Sequence, residues 1–177
     1  MSAAPRKINT QQLPTLAREF RAGESVLLSG TVYTARDAAH KRIGALLESG
    51  QALPFDLRDA VIYYAGPTPT PPGLAIGSSG PTTSSRMDPY TPALLCAGLR
   101  GMVGKGPRGE AVRRAIAEAD AVYFCALGGA GALAARCIAS CEEIAFPELG
   151  CESVKRLMFV DFPLIVGVDA VGGNLFG

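Results

Sequence analysis

Eleven residues, GPTTSSRMDPY from Gly80 to Tyr90, set four hydroxyls (Thr82, Thr83, Ser84 and Ser85) beside one guanidinium, Arg86, and one carboxylate, Asp88. Short hydroxyl side chains compete for backbone hydrogen bonds, so such a run makes a poor helix or strand interior. It suits an oxyanion-binding loop, with several small donors next to a planar fork that grips a carboxylate bidentately. The plain alternative is a connection that caps the following helix. A second chemical cluster is Arg36, Asp37 and His40, and a third is Lys105 between two glycines, Gly104 and Gly106, which let the backbone turn sharply and carry an ammonium to a ligand. His40 is the only histidine of the chain. Arg36 one helical turn before it suggests an anion that both could touch, although a lone histidine on an apolar helix face also reads as a hydrogen-bonded core residue.

The elements that must hold these groups follow from periodicity. Residues 26–33, VLLSGTVY, read as a strand, and Thr34 is placed to cap a helix over roughly 36–48 with Asp37 in its first turn. Spacing puts Arg36, His40, Ile43 and Leu47 on one face, the apolar end in the core and the polar end at its rim. A strand end followed by a helix N-terminus is where α/β proteins place their sites. A strand at 61–65 leads into an extended Pro/Gly loop, TPTPPGLAIG, the likeliest excursion of the fold by composition, and then into the 80–90 stretch. Beyond it the pattern predicts a helix near 91–99, a short strand at 102–104, a helix at 110–118 and a strand at 121–125. A helix at 131–140, a strand at 142–146 and two further strands at 156–162 and 164–168 complete it. A short helix is predicted near 15–20, and residues 1–12 read as a polar arm ahead of a domain spanning 13–177. Alternating strands and helices with late hairpin-like strands make the fold class α/β with a mixed sheet.

Composition narrows the function. The chain of 177 residues is 48% hydrophobic and 19% charged, which describes one globular domain with a substantial core. A net charge of +1 argues against nucleic-acid or membrane-surface partners recruited by bulk electrostatics. Neither a signal-peptide core nor an apolar run of about 18 residues is found, so the protein reads as cytoplasmic. The five cysteines (Cys96, Cys125, Cys137, Cys141, Cys151) read as reduced, buried thiols, and Cys137 with Cys141 is the only pair spaced for two ligands on one helix. The run Gly128-Gly129-Ala130-Gly131-Ala132 lacks both GxGxxG spacing and the P-loop Lys and Ser/Thr, and is read as a place of tight packing.

With these pieces in order, the sequence resembles the β subunit, or C-terminal domain, of iron–sulfur-dependent hydro-lyases: the class I fumarate hydratases and the L(+)-tartrate dehydratases. The resemblance runs from about Leu13 to Phe176 and rests on SGTVYTARDAAHKR at 29–42, YYAGPTP at 63–69, GPTTSSRMDPY at 80–90, GKG at 104–106, FPELG at 146–150 and DFP at 161–163. Pro147 and the Asp88-Pro89-Tyr90 run look more like the fumarase form, while Ser85 and Cys151 depart from the family pattern.

The resemblance implies a swivelling β/β/α-type single domain docked on an α subunit that carries a 4Fe-4S cluster, with no metal ligand in this chain. The expected assembly is an α2β2 complex or a homodimer of this chain alone. The substrate implied is a small dicarboxylate held between the two subunits. By similarity Arg36, Arg86 and Lys105 hold its carboxylates with Thr82 and Thr83 beside them, Thr82 lies near the reacting carbon, and His40 is the family's candidate acid/base. Asp37 is placed to orient Arg36 or His40. The base itself stays open between Thr82, His40 and a carboxylate of the partner. Two alternatives to fumarate hydration are dehydration of tartrate or a related 2-hydroxy-dicarboxylate, and a non-catalytic dicarboxylate-binding module.

Overall fold

The computed structural model describes residues 3–127 and 130–177. Its sheet is built on strand β2 (Ser25–Thr34), whose side chains alternate between buried and half-buried along its whole length. One edge of β2 pairs antiparallel with β7 (Val154–Val168) from Ser25↔Ile165 to Tyr33↔Arg156. The other edge is shared. β1 (Arg6–Asn9) lies parallel along Val26–Ser29, and β3 (Val61–Tyr63) pairs in parallel with Tyr33–Thr34. β4 (Gly101–Gly104) and β5 (Val122–Cys125) continue the parallel run, and β5 pairs antiparallel with the far end of β7. The sheet therefore closes on itself through β7, while β6 (Ile138–Ala145) extends the antiparallel part.

Two cores follow from this closure. Val61, Tyr63, Val103, Val122 and Phe124 point into the closed sheet, toward Leu28, Val32, Phe159 and Phe162. The alternate residues Ile62, Tyr64, Met102 and Tyr123 point outward and are covered by helices α2 (Asp37–Glu48), α3 (Thr91–Cys96) and α4 (Glu110–Glu118) through Ala39, Ile43, Leu94, Leu95, Val112 and Ile116. Strands buried on both faces explain why 61–64 and 122–125 are continuous apolar runs. The result is three layers, antiparallel sheet, parallel sheet and helices: the mixed α/β fold that the sequence pattern describes.

Several boundaries differ from the sequence reading. Arg6–Asn9, read within a polar arm, is an edge strand, and α1 (Leu13–Leu16) with a 3₁₀ turn at Ala17–Glu19 follows it. The helix expected over 131–140 stops early, as α5 (Gly131–Arg136), because Ile138 already pairs with Phe159 of β7. Long-range ladder contacts there override local helix propensity. Cys137 and Cys141 are therefore not on one helix: Cys137 ends α5 and Cys141 sits in β6. None of the five thiols is fully buried, and Cys96 and Cys151 are exposed.

The two predicted C-terminal strands are one strand. A bulge at Asp161 (φ 46°), whose N–H donates to Ser29 Oγ at 2.9 Å, bends it. Pro163 falls between Phe159, the last residue paired with β6, and Ile165, the first paired with β5, so its missing N–H interrupts neither ladder. Gly128 and Gly129 lie outside the described residues. Gly131 does pack tightly, since a Cβ there would collide with Ser78 Oγ and lie 2.8 Å from the Gly80 nitrogen.

Candidate functional site

The parallel strands β2, β3 and β4 all end at the same edge of the sheet, and each hands its chain to one of the chemical clusters. Immediately past β2 come Arg36 and Asp37. Past β3, the carbonyl of Tyr64 accepts the N–H of Thr82 at 2.6 Å. Past β4, Lys105 forms an isolated parallel bridge with Thr83, and its carbonyl accepts the Ser84 N–H at 2.9 Å. The 80–90 segment is therefore an irregular strand addition followed by a 3₁₀ turn, Ser84–Met87, draped over the ends of β3 and β4. Its approach needs Gly104, where a Cβ would collide with Ser84 Oγ and lie 2.7 Å from a Tyr64 ring carbon. The loop before it is closed rather than free: Thr68 N–H donates to the Ser78 carbonyl at 2.9 Å, Ser78 N–H returns to Thr68 Oγ1 at 2.9 Å, and Ile76 is buried.

Arg86 and Asp37 meet as a fork, Nε to Oδ1 at 2.9 Å and Nη2 to Oδ2 at 2.9 Å, joining the 80–90 loop to the first turn of α2. The same carboxylate lies 3.8 Å from Arg36 Nη2, and Glu152 Oε1 lies 3.9 Å from Arg36 Nε. Both distances exceed a hydrogen bond, and Arg36 Nε is buried without a hydrogen-bond partner among the described residues. Arg36 lies against Gly66, where a Cβ would stand 3.2 Å from its Cδ and Nη1. Lys105 is half-buried with its ammonium in no ion pair, and the Thr82 hydroxyl is half-buried with no hydrogen bond, among the described residues. Thr83 and Arg86 are exposed. The structure thus brings together Arg36, Asp37, Thr82, Thr83, Arg86 and Lys105.

His40 is placed differently. The sequence reading puts it at the rim of the core, yet it is fully buried, edge-on to Tyr64 at 5.3 Å and tilted against Tyr90 at 6.0 Å. Its Nδ1 is 2.9 Å from the Arg36 carbonyl. A carbonyl only accepts, so Nδ1 carries the proton, and Nε2 is an acceptor with no partner among the described residues. Burial lowers its pKa to about 4, against the opposing effect of the bond to Arg36, so the ring is neutral at neutral pH. One satisfied nitrogen within its own helical turn is what makes this burial tolerable. Thr34 does not cap α2. Its hydroxyl donates to the Ser153 carbonyl at 3.3 Å and accepts the Lys155 N–H at 3.0 Å.

Sequence reasoning missed Arg108 and the ring of groups around it. Its side chain is completely buried, with Nε 2.7 Å from Asp88 Oδ1, Nη2 2.8 Å from Thr91 Oγ1 and Nη1 3.2 Å from the Tyr64 hydroxyl. The only local signal was its place three residues after Lys105. No group of three or more His, Cys, Asp or Glu side chains that could hold a metal is formed among the described residues. No helix among them is long and apolar enough to cross a membrane.

Comparison with known proteins gives a consistent picture. The sequence model of the family described as Fumarase C-terminus matches residues 2–177. The class I aerobic fumarate hydratase of Escherichia coli (strain K12) is 40% identical over 160 residues, which cover 89% of this chain and 29% of that protein. Fumarate hydratase 2 of Leishmania major is 38% identical over 160 residues, and this chain spans 28% of its length. A putative L(+)-tartrate dehydratase subunit beta of Methanocaldococcus jannaschii is 35% identical over 165 residues, covering 90% of this chain and 85% of that protein.

Proposed function

Because the chain belongs to the Fumarase C-terminus family, we propose that it is the β subunit of a class I, 4Fe-4S-dependent fumarate hydratase, interconverting fumarate and malate at a site shared with an α subunit. The observation that carries this reading is the convergence of Arg36, Arg86 and Lys105 with the Thr82 hydroxyl at one sheet edge, with Arg36 Nε, the Lys105 ammonium and the hydroxyl all having hydrogen-bonding capacity unspent. A dianionic substrate needs at least two cationic clamps, and a guanidinium supplies charge and orientation together. In this reading the cluster belongs to the α subunit, and this chain binds and orients. Arg36 and Lys105 take carboxylate oxygens, and Arg86, braced by Asp37, uses the face of its fork that Asp37 leaves open. Charge that builds on a carboxylate as the C3 proton leaves is met by these preorganised cations.

By the family resemblance Thr82 is the residue of this chain that lies near the reacting carbon; its backbone is fixed on the Tyr64 carbonyl and its side chain is half-buried. His40, fully buried and neutral, acts through Arg36, whose carbonyl it holds. The exposure of Thr83 and Arg86 fits a half-site that a second polypeptide covers, as does that of Leu127 and Leu133, 60% and 53% exposed; Gly131, two residues before Leu133, packs on Ser78–Gly80. The protein is expected to work as an α2β2 complex in the cytoplasm.

The test is fumarate-to-malate turnover under anaerobic conditions, first with this chain alone and then with its iron–sulfur partner subunit. Turnover in the mixture alone is the expected result. Absence of turnover in a fully reconstituted mixture would sink the hydratase reading. The second reading, dehydration of L(+)-tartrate, is supported by the 35% identity over 165 residues to the putative L(+)-tartrate dehydratase subunit beta. The ratio of kcat/KM for malate and for L(+)-tartrate separates the two.

A further inference from the structure

Among the groups the proposed reaction does not use, Arg108 is the most heavily invested. Its guanidinium has no exposed surface, and three elements meet on it: Asp88 from the end of the 80–90 loop, Thr91 from the start of α3, and the Tyr64 hydroxyl from the end of β3. Its Cζ lies over two aromatic rings, 5.3 Å from that of Tyr64 and 4.9 Å from that of Tyr123. Each partner is a second handle on the site. The free oxygen of Asp88 accepts the Gly109 N–H at 2.8 Å, and Thr91 Oγ1 donates to the Met87 carbonyl at 2.9 Å. The Tyr64 carbonyl receives Thr82 N–H, and the Tyr123 hydroxyl is hydrogen-bonded to Ser84 Oγ at 2.8 Å and to the Gly106 carbonyl at 2.7 Å.

We propose that Arg108 is the positioning residue of the Thr82–Arg86 loop, setting its height over the ends of β3 and β4 without touching substrate. The naming of that loop as the substrate-binding one rests on the function proposed above. The physical reason is the counter-ion. Arg108 is always charged, and the carboxylate that balances it, Asp88, is carried by the loop itself. If the loop lifts, a cation is left buried and uncompensated, which is far costlier than losing one surface contact. The loop is thereby held by charge as well as by its backbone bonds. A lysine cannot do the same, because a single ammonium cannot span Asp88, Thr91 and Tyr64 in the plane of the fork.

The test uses Arg108→Lys and Asp88→Asn in the full chain. Hydrogen exchange is followed at the loop amides of Thr82 and Ser84 and, for comparison, in the β4–β5 ladder. The expected result is exchange accelerated at least tenfold at Thr82 and Ser84 with the ladder unchanged. In the complex with the partner subunit, kcat/KM for fumarate is expected to fall about 100-fold, with KM raised, as a misplaced clamp requires. Loop protection equal to the parent in both variants overturns the proposal. So does equal acceleration of the ladder, which would make Arg108 a residue of core stability. Should Arg108→Lys fail to fold, Asp88→Asn decides by the same comparison, since Asp88 is partly exposed. An inactive parent complex combined with the expected exchange pattern would overturn the functional reading and leave the positioning of the loop standing.

Discussion

At the scale of the residue, Asp37 and Arg86 are 49 positions apart in the chain and are joined in the structure by one hydrogen bond, Nε to Oδ1, and an ion-pair contact of Nη2 with Oδ2 at 2.9 Å. The carboxylate is hydrogen-bonded to the Arg86 guanidinium, and its contact with the neighbouring Arg36 is the looser one, at 3.8 Å. Arg86→Ala is expected to lower turnover of the complex at least about 100-fold, the scale of losing one preorganised donor to developing charge. Far-UV circular dichroism of the variant should match the parent, because the side chain is half exposed. Arg86→Lys should fall nearly as far, since it keeps the charge and loses the fork. Loss of secondary structure in either variant would make Arg86 structural.

His40 supports a second expectation, about pH. Its folded pKa of about 4 lies below the ordinary 6.5, so between those values the unfolded chain binds a proton that the folded chain does not. The contribution is complete above pH 6.5 and is lost as pH falls toward 4, about 3 kcal/mol over that window at 1.36 kcal/mol per pKa unit. Urea unfolding of His40→Asn, set beside the parent at pH 7, 5.5 and 4.5, should show a flatter decline. Parallel declines would mean that the acid sensitivity belongs to other groups.

At the scale of the element, the site exists because three parallel strands end together and one glycine lets a loop close over them. Gly104→Ala puts a methyl against Ser84 Oγ and Tyr64. A cost of about 1–3 kcal/mol is expected from such overpacking. Ser84→Ala in the same chain should return part of it, and a double-mutant cycle by urea unfolding measures the coupling. Additive effects would mean that the loop moves freely off the strand. Gly66 plays the corresponding part for Arg36, so Gly66→Ala should raise KM by displacing the guanidinium while leaving the melting temperature within a few degrees of the parent. The short span of α5 and the early start of β6 were hidden from periodicity, because β6 is fixed by β7, which arrives later in the chain.

At the scale of the whole molecule, β7 pairs with β2, β5 and β6 and so belongs to both the antiparallel and the parallel layer. Neither core can open without breaking it. Unfolding followed by tyrosine fluorescence (the chain has 5 Tyr and no Trp) and by far-UV circular dichroism should give one coincident transition. Separate midpoints would mean that the layers unfold independently.

The amino-acid sequence by itself determined the alternation of strands and helices, the buried runs at 61–64 and 122–125, and the residue types of the site. Arg36, Thr82, Arg86 and Lys105 were legible because each sits beside a strand end in a local pattern of glycines, prolines and hydroxyls. The tertiary structure alone decided which of them meet. The Asp37–Arg86 fork, the Arg108–Asp88 pair and the burial of His40 depend on contacts between segments far apart in the chain. Local propensity carries no information about such contacts. They are set by the closure of the sheet through β7 and by the common edge at which its parallel strands end.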